Sequence, residues 1–154
     1  MPKTLRPTLD GTGKHFAIAA SLFNEDIVKN LVAGAVRLFT ANGVKPDDIL
    51  IAWVPGAFEL PMAARRLAMT ARYAGVVCCG AVIRGETKHN ELVCEAAARG
   101  ISEVSRDTGV VCTFGVITAE NMAQAVARSG PEVNRGAEAA EAALEMANLL
   151  PGLE

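Results

Sequence analysis

Aromatic side chains supply only 5 % of this 154-residue sequence, as one Trp, one Tyr and five Phe, which rules out a core of stacked rings and leaves the interior to aliphatic packing. Basic charge is not concentrated either. The 15 Lys and Arg are scattered among 17 Asp and Glu, giving a net charge of −2 and no positive stripe of the kind that binds nucleic acid or an acidic membrane. No apolar run approaches the length of about 18 residues that a membrane-spanning helix needs. Lys3 and Arg6 precede only a brief apolar stretch, Phe16 to Ala20, which Asn24, Glu25 and Asp26 end, so a signal peptide is not expected and the chain reads as cytoplasmic. The four cysteines, Cys78, Cys79, Cys94 and Cys112, lack C-x-x-C spacing. Two are neighbours in a predicted strand with side chains on opposite faces, and buried reduced thiols are expected rather than disulfides or metal ligands. Histidine occurs twice, and His89 has no second histidine or carboxylate at ligand spacing, which disfavours a metal centre.

What is abundant is aliphatic: 51 % of residues are hydrophobic and 21 % charged, enough for one core and modest for a monomer's surface. Alanine-rich helices with small residues on several faces suit close packing, either within the domain or between copies, and self-association is expected. Residues 1–14, with Pro2, Pro7, Gly11 and Gly13, read as an extended arm, and residues 15–154 as one domain. His15 to Ala20 reads as a first strand, with Asn24 capping a helix that keeps helical period through Ile27, Leu31, Ala35 and Leu38 to Asn42-Gly43. Ile49 to Val54 is a second strand, followed by the Pro55-Gly56 turn and a helix through Leu60, Ala63, Ala64 and Leu67. The nearly continuous apolar run Gly75 to Ile83 marks a strand covered on both faces. A helix from Glu91 to Arg106 follows, then a strand from Val110 to Ile117, a short helix from Glu120 to Arg128, a break at Gly130-Pro131 and a last helix from about Asn134 to Leu150. This alternation specifies an α/β fold with three layers, a four-stranded parallel sheet with helices on both faces, in flavodoxin-like order.

Ligands of such sheets bind beyond the carboxyl ends of the strands, and here those ends carry the unusual residues. Gly80 to His89 leaves a strand and reaches glycine, a hydroxyl, a cation and an imidazole within a few positions, a grouping that can hold an anion beside a proton carrier. Gly80, Gly85 and Thr87 imitate the spacing of a nucleotide-binding G-x-x-x-x-G-K-[ST] loop, but Glu86 stands where that loop's lysine meets phosphate, which argues against an NTPase. Phe23 and Phe58 lie at the same rim and either stack on a flat ring, with Glu59 accepting from hydroxyls, or staple helices to the sheet. Arg128 ends one helix and Arg135 opens the next, so each either grips phosphate or is a solvated charge.

Together these segments resemble the lumazine synthase family from about His15 to Leu149. The matching blocks are Phe23-Asn24, Val54 to Pro61, Gly80 to Gly85 with Thr87 and His89, Phe114 to Thr118, Gln124-Ala125 with Arg128 and Gly130, and Asn134-Arg135-Gly136 with Glu138-Ala139-Ala140 and Glu145-Met146. The resemblance implies condensation of 5-amino-6-(ribitylamino)pyrimidinedione with 3,4-dihydroxy-2-butanone 4-phosphate in riboflavin biosynthesis, without metal or organic cofactor. It implies that Phe23 stacks on the pyrimidine and that the backbone at Ala57, Phe58, Val82 and Ile83 reads the ring edge. Asn24 and Glu59 would hold ring and ribityl chain; Gly85, Glu86 and Thr87 would face the phosphate; His89 would move protons. Phe114, Arg128 and Arg135 would come from the neighbouring subunit of at least a homopentamer, with Arg128 easing the departure of phosphate.

The chain departs from the family pattern at Leu22, where arginine is frequent, at Glu86, where a small residue is, and at Asn90, where an aromatic is. The segment Ser129 to Arg135 is one residue shorter than usual and lacks its first lysine, which bears on phosphate binding and on whether pentamers form a shell. Two other functions share the pattern. One is an archaeal-type riboflavin synthase, against which Thr87 and Arg128 argue; the other is a non-catalytic flavin- or lumazine-binding or shell-forming paralogue, for which Glu86 and Glu132 speak.

Overall fold

A computed structural model describes residues 1–154. Four strands, β1 (Phe16–Ser21), β2 (Ile49–Val54), β3 (Gly75–Ile83) and β4 (Val111–Ala119), form one parallel sheet in the order β2-β1-β3-β4. Five α-helices connect and cover them: α1 (Glu25–Ala41), α2 (Leu60–Met69), α3 (His89–Thr108), α4 (Met122–Ala127) and α5 (Arg135–Leu149). This is the three-layer, flavodoxin-like arrangement expected from the alternating pattern. Alternation of side chains along each strand divides the core in two. Phe16, Ile18, Ala20, Val77, Cys79 and Ile117 pack beneath α1 and α5, and Ala17, Ala19, Val76, Cys78 and Val116 beneath α2 and α3.

The adjacent thiols thus point into opposite layers, as their positions required. Burial pushes the Cys79 thiol up to about 12 and Cys78 well above its ordinary range, so both remain uncharged thiols in the core. Cys94 corrects the expectation of four buried cysteines, because its place on α3 leaves it only half-buried. Two of the five phenylalanines meet inside the core: Phe16 and Phe39 stack with ring centroids 4.4 Å apart.

Several boundaries differ from the sequence pattern for identifiable reasons. β4 continues to Ala119 because it pairs with β3 as far as Ile83, and α4 shrinks accordingly. α3 begins at His89 rather than Glu91: the Thr87 hydroxyl accepts the His89 N–H at 3.3 Å, and the Lys88 carbonyl accepts from Glu91 and Leu92, so the first turn is already closed there. Residues 1–14 carry no helix or strand; the Asn148 carboxamide donates to the Thr8 and Asp10 carbonyls, and Gly11 N–H to the Asn42 carbonyl.

The closest helix contact in the molecule joins α1 to α5. A methyl group added at Gly136 would fall on the Leu31 carbonyl oxygen, and one at Gly34 on the Asn134 carboxamide. Asn134 uses this proximity. Buried at the start of α5, it accepts the Ala137 N–H at 3.0 Å as an N-cap and donates to the Asn30 carbonyl of α1 at 3.0 Å. The backbone of α1 cannot yield as a flexible side chain would, so Gly136→Ala should lower unfolding free energy by about 1–3 kcal/mol, the usual cost of overpacking. Urea denaturation measures this, and a midpoint equal to that of the parent would contradict the close contact.

Candidate functional site

A cleft of about 820 Å³ opens at the carboxyl ends of β1, β2 and β3. It lies where the strand order changes direction, with β1 connecting outward to β2 on one side and the next crossover reaching β3 on the other. Phe23, the 55–59 segment, Ala81 to Ile83, Gly85, Thr87, and the first turns of α3 line it.

Phe23 is held by continuation of the β1–β2 ladder beyond the strands themselves: Leu22 N–H donates to the Val54 carbonyl at 2.8 Å and Phe23 N–H to that of Pro55 at 3.2 Å. The chain then turns sharply at Asn24, whose φ of 59° and ψ of 45° place it in the left-handed region that Asn tolerates better than most residues. Asn24 therefore occupies the capping position of α1 but does not cap it. Its carboxamide instead donates to the Ala81 carbonyl at 2.9 Å, tying the end of β1 to the end of β3. Phe23 is 70 % exposed and Phe58 64 %, which excludes the alternative in which they staple helices to the sheet. Both side chains line the cleft. Ala57 is buried beneath Phe58, and the Ala57–Glu59 turn packs against α3. Glu59 is half-buried, with no hydrogen bond on its carboxylate. Across the cleft, Val82 and Ile83 form one wall and His89 opens α3, its imidazole free of internal partners.

A sequence model of the 6,7-dimethyl-8-ribityllumazine synthase family matches residues 13–151. The chain belongs to that family. Membership makes it one of an enzyme family of riboflavin biosynthesis, and no helix is long and apolar enough to cross a membrane. In this lumazine synthase-family chain the match spans every strand and α-helix, leaving only the beginning of the arm and the last residues outside.

Nine of the residues singled out from sequence share the cleft: Phe23, Ala57, Phe58, Glu59, Val82, Ile83, Gly85, Thr87 and His89. Asn24 acts one step behind it, through Ala81. Glu86 is exposed on the loop and is not among the residues that line the cleft. Phe114, Arg128 and Arg135 lie elsewhere on the same chain. Phe114 is exposed on edge strand β4, on the face that carries α2 and α3. Arg128 follows α4 and donates to the Gln124 carbonyl at 2.9 Å, while Arg135 donates its N–H to the Arg128 carbonyl at 2.9 Å and pairs with Glu138 at 2.6 Å. The shortened segment between the two arginines closes on itself through an antiparallel bridge between Ser129 and Asn134.

Sequence reasoning noted Asn90 only as a departure from the family pattern and missed Leu92 and Val93 on the same wall. The signal was present: with His89 opening the helix, positions three and four residues on share its face.

The loop from Arg84 to Lys88 is exposed and lacks regular structure, yet it carries Gly85 and Thr87. It is fastened to the β4–α4 connection by Arg84 N–H donating to the Ala119 carbonyl at 2.8 Å and by the Arg84 guanidinium on Glu120 at 3.1 Å. Glu120 is itself held, its N–H donating to the Gln124 side chain at 2.8 Å. An exposed pair contributes about 0.2–1 kcal/mol, so Glu120→Gln should leave the melting temperature almost unchanged while speeding the first tryptic cut after Arg84 or Lys88 roughly two- to fivefold. An unaltered nicking rate would mean that the pair does not hold the loop.

Proposed function

We propose that this chain is a catalytically active lumazine synthase. It condenses 5-amino-6-(ribitylamino)pyrimidinedione with 3,4-dihydroxy-2-butanone 4-phosphate to give 6,7-dimethyl-8-ribityllumazine, inorganic phosphate and water. The observation that carries this reading is the convergence of two exposed aromatic rings, an uncommitted carboxylate and an uncommitted imidazole in one cleft of a chain that matches the family over nearly its whole length.

In this reading Phe23 stacks on the pyrimidine, and backbone groups at Ala57, Phe58, Val82 and Ile83 meet its polar edge. Glu59 accepts hydrogen bonds from ribityl hydroxyls, and Asn24 keeps the Phe23 wall in register with β3. Gly85 and Thr87 receive the phosphate; Glu86 flanks it from outside the cleft. The ring's primary amine attacks the ketone and an imine forms with loss of water; phosphate is eliminated, the resulting enol becomes a ketone, and the ribitylamino nitrogen closes the second ring on it with loss of a second water. His89 carries protons between these centres. Holding amine and ketone side by side replaces a bimolecular encounter, an advantage that reaches roughly 7–11 kcal/mol in the best-oriented systems. Positioning therefore carries more of the rate than acid–base help.

As the family resemblance implies, Phe114, Arg128 and Arg135 come to the cleft from a neighbouring copy, and the active form is a homo-oligomer of at least five subunits. Arg128 then offers a planar fork to the departing phosphate. No metal or organic cofactor enters the scheme, and the enzyme works in the cytoplasm.

Mixing the purified protein with both substrates should produce lumazine fluorescence together with phosphate. Turnover of lumazine supplied alone would instead identify a riboflavin synthase, and binding without turnover a non-catalytic paralogue. His89→Ala should slow turnover by roughly 10²-fold, the low end for general acid–base assistance, while pyrimidine binding persists. An unchanged rate would remove His89 from proton transfer. Arg128→Ala should raise KM for the phosphate substrate by roughly 10- to 100-fold, the effect of losing a charged hydrogen bond, and unaltered saturation would refute its assignment.

A further inference from the structure

One polar residue of the cleft wall has no task in the scheme above. Asn90, the second residue of α3, lines the cleft and is half-buried there. The other asparagines that are withdrawn from water all spend their side chains on backbone: Asn24 on the Ala81 carbonyl, Asn42 on Leu38, Asn134 on Asn30, and Asn148 on Thr8 and Asp10. The Asn90 carboxamide makes no hydrogen bond within the chain. Its polar atoms are not sealed from water, so the carboxamide stands open on the cleft wall, free to exchange solvent for a ligand. Its neighbours on the wall offer no side-chain partner, since Leu92 and Val93 lie nearby on the same helix and Phe58 stands on the turn packed against α3.

The chemistry of a ligand that would suit this carboxamide follows from what shares the wall. Glu59 lies on the Ala57–Glu59 turn that packs against α3, and its carboxylate is also uncommitted. A carboxylate only accepts, whereas a carboxamide both donates and accepts. Ionised phosphate, an acceptor, would suit the amide but be repelled by Glu59. Neighbouring hydroxyls, each a donor and an acceptor, suit both groups at once.

We propose that Asn90 is a specificity-determining residue that, together with Glu59, reads the hydroxyls of a polyol chain on the bound ligand. This rests on the lumazine synthase reading, in which that chain is the ribityl group. Asn90 is distinct from the motif residues of the family resemblance: it stands where an aromatic is common, so the contact belongs to this chain.

The test is equilibrium titration of the assembled protein with two ligands that differ only in the chain, 6,7-dimethyl-8-ribityllumazine and 6,7,8-trimethyllumazine. Asn90→Leu should weaken the ribityl compound roughly three- to tenfold, as expected for loss of one hydrogen bond, and leave the trimethyl compound unchanged. Asn90→Gln, which keeps the carboxamide, should recover part of the loss. Equal weakening of both ligands would make Asn90 a ring or scaffold contact and overturn the proposal, as would no weakening of either. The parent protein separates this from the broader reading. If it binds neither ligand, the lumazine synthase assignment fails; if it binds the ribityl compound and Asn90→Leu binds it equally well, only the role of Asn90 falls.

Discussion

The hydrogen bond from the Asn24 carboxamide to the Ala81 carbonyl is the contact on which the cleft's geometry depends. β1 must hand the chain to α1 within a few residues, and the turn that achieves this places a non-glycine residue in the left-handed region. Asn meets that demand at small steric cost, and its short side chain reaches a neighbouring strand end. The result is a fixed relation between two walls: Phe23 stands immediately before the turn, and Val82 and Ile83 immediately after the carbonyl that receives the bond. Each wall is also anchored to a parallel ladder, β1 with β2 and β3 with β4, so the cleft inherits the rigidity of the sheet.

The other side of the cleft is built differently. Gly85 and Thr87 sit on an exposed loop fastened by Arg84, whose attachments are one backbone bond and one solvent-exposed ion pair. The walls at Phe23 and at Val82-Ile83 are thus fixed by the sheet, and the loop side is held by weaker ties that cost little to rearrange. Such a division suits a reaction in which a flat ring must stay in place while a small phosphate-bearing fragment arrives, reacts and loses its phosphate.

Much of the architecture was legible because the strands are covered on both faces, so Gly75 to Ile83 announces itself as an apolar run, and because Pro55-Gly56 and Gly130-Pro131 punctuate the chain clearly. The strand ends were legible too, and with them most of the cleft. What periodicity could not give was the use of individual polar side chains. Asn24 looks like a helix cap in sequence, since Asn is favoured at that position, but a left-handed backbone there points the carboxamide at β3. Thr87 looks like a phosphate ligand, and its hydroxyl also accepts the His89 N–H, which starts α3 two residues early. That earlier start is what turns Asn90 onto the cleft wall. Motif position likewise does not say that Glu86 stays outside the cleft lining while Gly85 and Thr87 on either side join it.

The placement of Phe114, Arg128 and Arg135 carries the last step. Arg135 is paired with Glu138 and Arg128 caps its own helix through the Gln124 carbonyl, so neither serves the cleft of its own chain. Phe114 remains 42 % exposed on a sheet edge, and at the opposite edge β2 leaves Leu50, Ile51 and Trp53 in water. Apolar surface at both sheet edges, in a chain with so few aromatics to spare, fits a fold whose copies cover one another. If a neighbour's β4 edge approaches the cleft, one subunit supplies the rigid ring-binding walls and the next supplies cations for the anion. Neither half would then need to bury unpaired charge before assembly, because Arg135 is already paired with Glu138 and Arg128 already donates to the Gln124 carbonyl.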